Sequence, residues 1–345
     1  MGKKVLIIRL TSLGDVIFTL PLVNSLKNNA YTVDFVTAEK GEGIIKNNPS
    51  INKYFLYPLA KWRKNKFNPQ NIIEFFKLVS DIRKEKYDIV IDCQQMLKNL
   101  LLFLLCGGKR RITFKDAKEL SLLGGNEFVK PSHKFKDNNY HIVNRNLEFA
   151  EHLGIKTDKP VFSLPEVREE VKIRVNELLK NCVYGKPLLV LAPATTWKNK
   201  HWKNENWTEL IKKLLEQNKY NLVITGTKND VDFVDSLLVS VHDKDKITNL
   251  CGKTNFEELQ GVLACAEKVI TLDNGTAHLA WAIGKPDILS IFTCTPPLRF
   301  APFGSQKYKF LCGNLPCQFC FTKKCRLKNA DCRNYPTVDE VLSNL

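Results

Sequence analysis

Val5-Leu6-Ile7-Ile8, followed by Thr11-Ser12-Leu13-Gly14-Asp15 and then by apolar residues at Leu20, Val23 and Leu26, decides the fold of this chain. Four consecutive apolar residues read as a strand buried on both faces. The polar stretch with its glycine reads as a connection, and apolar residues three apart read as one face of a helix. The same unit recurs downstream, with residues 33–36 and 87–91 as strands and 72–82 and 141–153 as helices. After the proline-containing stretch 159–165 the pattern starts again: helix 167–180, strand 188–191, helix 207–217, strand 222–224, helix 256–263, strand 268–272 and helix 276–283. Strands alternating with helices predict parallel sheets covered on both faces, an α/β fold. Two such runs in 345 residues predict two domains, with the active site in the cleft between the sheets, at the carboxyl ends of the strands.

Composition narrows the partners. With 44% hydrophobic and 10% aromatic residues, and only 17 Gly and 15 Pro, the chain has material for packed cores and no bias toward disorder or fibre. Lys and Arg number 52 against 36 Asp and Glu, a net charge of +16, which points to an anionic partner: nucleic acid, a phosphate ligand or an anionic membrane. The excess is uneven. Residues 1–165 hold 27 basic against 16 acidic side chains, the remainder 25 against 20, so the N-terminal half is the expected polyanion face. Between Glu42 and Glu74 no acid occurs, while Lys46, Lys53, Lys61, Arg63, Lys64 and Lys66 alternate with Tyr54, Phe55, Tyr57, Trp62 and Phe67. Lys109-Arg110-Arg111 is a second basic cluster. Either run reads as a solvated face or as a binding surface.

Lys3-Lys4 before the first apolar run superficially resembles a targeting segment, but Arg9 and Asp15 interrupt it, and no signal peptide fits. The longest apolar stretch, residues 100–106, falls far short of the roughly 20 residues of a membrane-spanning helix. A cytoplasmic chain, at most membrane-associated, is expected, with its eleven cysteines reduced.

Three strand-loop-helix junctions carry candidate chemistry. In the first, Gly14 permits backbone approach, the helix start offers amides to an anion, and Asp15 can accept a proton from an attacking hydroxyl; alternatively Asp15 merely supplies favourable charge in a first helical turn. In the second, Thr195, Thr196, Lys198 and Lys200 offer hydroxyls and ammonium groups to phosphate oxygens, or are simply an exposed capping loop. The third, Asp273-Asn274-Gly275 with His278 on the following turn, repeats the construction, though Asp-Asn-Gly alone is a turn signal. Cys312, Cys317, Cys320, Cys325 and Cys332 include one C-x-x-C pair, where a zinc ribbon would show two. No HExxH, Walker A or G-x-S-x-G motif occurs, so metallopeptidase, P-loop and α/β-hydrolase readings lack their motifs.

Taken together, the three junctions resemble the lipopolysaccharide core heptosyltransferases, glycosyltransferases of family 9. Thr11-Ser12-Leu13-Gly14-Asp15-Val16 with Thr19-Leu20-Pro21 is similar to that family's opening motif, Thr195-Thr196 with Lys200-His201-Trp202 to its donor diphosphate loop, and Asp273-Asn274-Gly275 with His278-Leu279-Ala280 to its Asp-Thr-Gly signature. The resemblance implies a GT-B architecture: an acceptor-binding Rossmann-like domain over 1–162, a nucleotide-sugar-binding one over 163–325, their parallel sheets facing across a cleft, and a tail over 326–345 packing back on the first domain. It also implies inverting, metal-independent transfer with no cofactor. Asp15 is the implied base and Lys200 the group that assists the leaving diphosphate. Gly14, Thr195, Thr196, Asp273, Asn274, Gly275 and His278 are the implied donor contacts.

Lys61-Trp62-Arg63-Lys64, the run from Tyr87 to Asp92 followed by Gln94 and Lys98, and His141 are most similar to heptosyltransferase I, which adds the first heptose to Kdo on lipid A. That implies ADP-heptose as donor, Kdo-lipid A as acceptor and work at the cytoplasmic face of the inner membrane. Lys61, Arg63, Lys64, Lys98, Arg110, Arg111 and His141 are then the acceptor side, facing an anionic headgroup. The chain departs from the family pattern at Asn274 for Thr, at Gln95 for Gly, at Lys228-Asn229-Asp230 where a ribose-anchoring acid is common, and over residues 293–297. Within the family the alternatives are heptosyltransferase II or another nucleotide sugar. Outside it, the alternative is a basic nucleic-acid-binding protein with a Cys-rich metal module, a partner the transferase reading excludes.

Overall fold

The computed structural model describes residues 2–65, 68–117, 120–157, 159–327 and 331–345. Lys66 and Phe67 of the basic, aromatic stretch lie outside them. The chain divides into two compact units, Met1–Glu166 and Val167–Leu345.

The first unit holds a six-stranded sheet whose pairings are all parallel: β1 (Lys4–Ile8), β2 (Thr32–Ala38), β3 (Lys53–Tyr57), β4 (Ile89–Asp92), β5 (Arg110–Phe114) and β6 (Glu127–Val129), in the order β3-β2-β1-β4-β5-β6. Residues 5–8 are fully buried, as an uninterrupted apolar run requires when helices cover both faces. Helix formation after β1 comes in two pieces, Leu13–Ile17 and Leu20–Asn28, with Pro21 in the first turn of the second, where its missing N–H leaves no bond unmade.

The second unit repeats the plan. β7 (Leu188–Ala192), β8 (Asn221–Ile224), β9 (Ile247–Asn249), β10 (Lys268–Leu272), β11 (Asp287–Phe292) and β12 (Tyr308–Cys312) form a parallel sheet in the order β12-β11-β10-β7-β8-β9. Each sheet starts in its middle, winds outward one way, then returns past its first strand to wind the other way. Each is therefore a Rossmann-like sheet, with the strand order reversing between β1 and β4 and between β7 and β10.

Two expectations about boundaries are corrected. The first unit runs four residues past the expected limit because Ser163 is held to it: Asn48 Nδ2 donates to the Ser163 carbonyl at 2.8 Å and Ser163 Oγ to Asn24 Oδ1 at 2.9 Å. The tail, expected on the first unit, is built into the second. Val338 and Val341 of helix Val338–Ser343 are buried in the cluster that contains Trp202, Trp207 and Leu210, and Trp202 Nε1 donates to the Pro336 carbonyl at 2.9 Å.

Candidate functional site

In open α/β sheets, ligands bind beyond the carboxyl ends of the strands at the point where strand order reverses, because neighbouring loops there diverge to opposite faces. In the first unit that point lies between the loops after β1 and β4. Asp15 stands in the first turn of helix Leu13–Ile17 with its side chain 30% exposed. Its Oδ1 pairs with Arg9 Nη2 at 2.7 Å, and its Oδ2 accepts from the Ser12 amide at 2.7 Å and the Ser12 hydroxyl at 3.0 Å. Burial pushes this carboxyl upward, but the Arg9 charge and the Ser12 donors outweigh it and hold the group below the ordinary carboxylate range. Asp15 is thus ionised at neutral pH and fixed in direction. Gly14 is buried in the same turn.

The loop carrying Asp15 is tied to the end of β4. Gln94 Oε1 accepts from the Leu10 and Thr11 amides at 2.9 and 3.0 Å, Arg9 Nη1 donates to the Cys93 carbonyl, and Lys98 Nζ donates to Thr11 Oγ1. Gln94 is positioned in turn by Asp92, fully buried, whose Oδ1 takes the Gln94 and Gln95 amides and Asn99 Nδ2, and whose Oδ2 takes the Ser121 hydroxyl. Gln95 has φ of +53°, the left-handed region, which explains in backbone terms why glycine suits this position. In the sequence Arg9 reads only as the residue that ends an apolar run. A charge directly after a fully buried strand, at the end where ligands bind, is the signal that would have found it.

Of the acceptor-side candidates, Lys98 lies at this loop. Lys61, Arg63 and Lys64 occupy helix Leu59–Lys64, which follows the carboxyl end of β3; Lys61 pairs with Glu74, while Arg63 and Lys64 are exposed. Arg110 and Arg111 are placed at the opposite edge of the sheet, and His141 caps a helix that packs against the end of the Asp15 helix. Arg110 and Arg111 open β5, at the amino ends of the strands, about 13 Å of strand away from the carboxyl edge. There Arg110 grips Glu127 through two 2.7 Å bonds and Arg111 Nε donates to the Gly124 carbonyl at 2.7 Å. His141, only 6% exposed, is the N-cap of helix Ile142–His152: Nδ1 accepts from the Val143 amide at 3.1 Å, and the ring packs edge-on against Phe18.

The second unit brings its two loops together at the equivalent reversal point. Lys200 Nζ lies 2.6 Å from Asp273 Oδ2 and 3.3 Å from the Asp273 carbonyl, His278 Nε2 is 3.4 Å from Asp273 Oδ1, and Thr195 Oγ1 donates to the Asp273 carbonyl at 3.4 Å. Burial would raise the Asp273 carboxyl, but Lys200 and His278 hold it far below the usual range, so the carboxylate is charged although its side chain is 5% exposed. The Lys200 ammonium also sits 5.0 Å from the centre of the Trp197 ring. Thr196 is exposed, and Gly275 opens helix Gly275–Ile283.

Asn274 is not a ligand donor here. Its Oδ1 accepts from the Ala277 amide and the Thr271 hydroxyl, and its Nδ2 donates to the Ala192 and Ala194 carbonyls, so both lone pairs and both hydrogens are spent. It caps the helix and staples the two loops together. Asp230 likewise turns inward, taking the Thr227 amide and hydroxyl at 2.8 and 2.6 Å.

Among the described residues no group of three or more His, Cys, Asp or Glu side chains is arranged to hold a metal ion. Cys317 and Cys320 are exposed, whereas Cys294 and Cys332 are buried and their thiols are pushed up to about 12 and about 11, chiefly by burial. No helix among the described residues is long and apolar enough to cross a membrane.

The profile of glycosyltransferase family 9 (heptosyltransferase) matches residues 75–331. Lipopolysaccharide heptosyltransferase 1 of Pseudomonas aeruginosa is 25% identical over 324 residues, covering 93% of this chain and 87% of that protein. Lipopolysaccharide heptosyltransferase 3 of Escherichia coli K12 is 26% identical over 305 residues, covering 87% and 86%. Among solved structures, the Escherichia coli heptosyltransferase WaaC with ADP superposes with a TM-score of 0.74 at 22% identity, covering 99% of this chain and 98% of that one.

Proposed function

Because the chain belongs to glycosyltransferase family 9, the heptosyltransferases, we propose that it transfers heptose from ADP-L-glycero-D-manno-heptose to a hydroxyl of Kdo on lipid A, with inversion and without a metal. That it is a heptosyltransferase of lipopolysaccharide core synthesis is the premise; the donor stereochemistry, the acceptor and the mechanism are the proposal. The observation that carries it is the matched pair of charged constellations at the two strand-order reversals: Asp15 held ionised by Arg9, and Lys200 held on Asp273.

In the proposed reaction the acceptor hydroxyl gives its proton to Asp15 as its oxygen bonds to the anomeric carbon. The bond from that carbon to the diphosphate oxygen breaks, and its electron pair leaves with ADP. A carboxylate as weakly basic as Asp15 serves because the hydroxyl becomes acidic only as the new bond forms. Lys200, with Thr195, Thr196 and the amides opening helix Gly275–Ile283, offsets the charge that grows on the departing diphosphate. Asp273 and His278 position Lys200 and the donor sugar. Lys98, Arg63 and Lys64 face the anionic acceptor. Arg110, Arg111, His141 and Asn274 have no part in this reading.

A second acceptor assignment has a specific observation behind it, since heptosyltransferase 3 is as similar to this chain as heptosyltransferase 1. ADP release from ADP-heptose in EDTA, measured with Kdo-lipid A, with Kdo-lipid A already carrying heptose, and with no acceptor, separates the two. Release that requires unheptosylated Kdo-lipid A and vanishes in Asp15→Ala is the expected result. Release only with the heptosylated acceptor moves the enzyme to a later step, and release only in added divalent metal overturns the metal-free mechanism.

A further inference from the structure

Helices Gln70–Lys84 and Leu97–Leu105 cover one face of the first sheet, burying Phe75, Val79 and Ile82 from one and Leu102 and Phe103 from the other in a common cluster. What they turn outward is as apolar as what they bury. Ile72 and Ile73 are 61% exposed and Phe76 54%, while Leu97, Leu101 and Leu104 are 55%, 53% and 39% exposed. Spacings of four and three residues put each set on one side of its helix. Leu123, in the turn Ser121–Gly124 that packs on the second helix, and Leu120 just before it are both 65% exposed. Single exposed apolar residues need no explanation, but a contiguous patch on two adjacent helices does.

Charge chooses the occupant. Between the two helices runs a groove of about 500 Å³ lined by Phe76, Val79, Leu105 and Ser80, with Arg83 and Lys84 at its basic end. Lys77 is exposed on the same helix, and Arg63 and Lys64 are exposed on the short helix preceding it. The acids nearby are engaged: Glu74 with Lys61 and Trp62, Asp81 with Lys84. A symmetric dimer through this face would press the basic groups against their own copies, whereas an anionic bilayer supplies acyl chains for the leucines and phosphates for the cations. The patch also adjoins the acceptor loop, because Leu97 is followed by Lys98, whose ammonium meets Thr11.

We propose that this face docks on an anionic lipid bilayer, with the apolar side chains of the two helices inserted at the acyl boundary and Lys77 and Arg83 at the headgroup phosphates. This deepens the assignment of a lipid-linked acceptor and rests on it only for the choice of lipid; the test below reads binding without turnover. The full-length protein is floated with vesicles of phosphatidylethanolamine and phosphatidylglycerol, and with vesicles of phosphatidylcholine alone. Wild type is expected to float with the anionic vesicles, less so in high salt, and Leu101→Ser/Leu104→Ser to lose about tenfold or more in partitioning, with far-UV circular dichroism and ADP binding unchanged. Phe76→Trp, which keeps the face apolar, is expected to add an emission component that brominated acyl chains quench. Failure of wild type to float, equal flotation of the double serine variant, absence of quenching, or a wild-type dimer that the double variant converts to monomer would each overturn the proposal. Vesicle binding without Kdo-dependent ADP release leaves this surface standing and removes the acceptor assignment instead.

Discussion

Replacing Lys200 by Ala removes the nearest cation from a carboxylate that has almost no route to water. The Asp273 side chain is 5% exposed, its Oδ2 is 2.6 Å from Lys200 Nζ, and the His278 ring nitrogen Nε2 stands 3.4 Å from Oδ1. Breaking a buried pair from one side leaves an uncompensated charge, which costs about 3–5 kcal/mol. The reverse substitution, Asp273→Asn, strands an ammonium that is 16% exposed and lies against Trp197, so it should cost less, about 1–3 kcal/mol. The sign of the pH dependence follows. Against burial, which raises it, Lys200 and His278 hold the Asp273 carboxyl below the unfolded value of about 3.9. The folded state therefore binds fewer protons than the unfolded one in the window below that value, and the stabilisation, complete above about pH 5, drains away as pH falls through the window. In Lys200→Ala the burial acts with the ammonium gone, the carboxyl rises, and the variant regains stability on acidification while wild type loses it. Urea unfolding of wild type, Lys200→Ala, Asp273→Asn and Lys200→Met/Asp273→Asn from about pH 7 down to about pH 2.5, below the unfolded carboxylate value, tests this. The expected order of destabilisation at neutral pH is Lys200→Ala, then Asp273→Asn, then the double variant, which restores stability without restoring ADP release. A loss below about 1 kcal/mol for Lys200→Ala, or one independent of pH, would refute a buried pair that stabilises through charge.

Arg9→Ala removes the charge that holds the Asp15 carboxyl low, so the acidic limb of the pH–rate profile for ADP release should move to higher pH, whereas a base unconnected to Arg9 would leave the limb in place. Asp15→Ala should lower kcat by about 10²–10⁴-fold with little change in KM for the donor, as for loss of a general base; near wild-type turnover would assign the proton to another group. Asn274→Thr keeps the helix cap and should be tolerated better than Asn274→Asp, which also caps but sets a carboxylate against the Ala192 and Ala194 carbonyls; thermal unfolding ranks them, and equal stability would mean that the carboxylate is not repelled there. At Gln95, with φ of +53°, Gly should be neutral or stabilising and Val destabilising by about 1 kcal/mol or more; a Gly variant less stable than wild type would place the Arg145 contact to Gln95 above the backbone cost.

Much of the architecture was legible because it follows from local alternation. Buried parallel strands are short apolar runs, covering helices carry apolar residues three and four apart, and the chemistry lies in the loops that join the two. Strands that the local pattern does not mark lack an unbroken apolar run. β3 runs Lys-Tyr-Phe-Leu-Tyr with only Phe55 and Tyr57 buried, and β5 begins with two arginines. β11 is interrupted by Ser290, which is buried, and β12 is an edge strand with no buried residue. In each case the partner strands, not the segment's own pattern, define the element.

The sequence by itself determined the two-unit α/β organisation, because apolar periodicity is a property of consecutive residues, and it marked Asp15, Lys200, Asp273 and His278 as candidates through the resemblance of the three junctions to a known family. Only the tertiary structure decided what those residues touch. Arg9 and Asp15 are six apart and meet across one loop, whereas Lys200 and Asp273 are seventy-three apart and meet because β7 and β10 are neighbours in the sheet. Sheet order also sends Arg110 and Arg111 to the amino ends of the strands, although as a charge cluster they read no differently from Arg63 and Lys64. A run of like charges records composition, whereas which edge of a sheet it occupies depends on where the strand starts and which neighbours it pairs with.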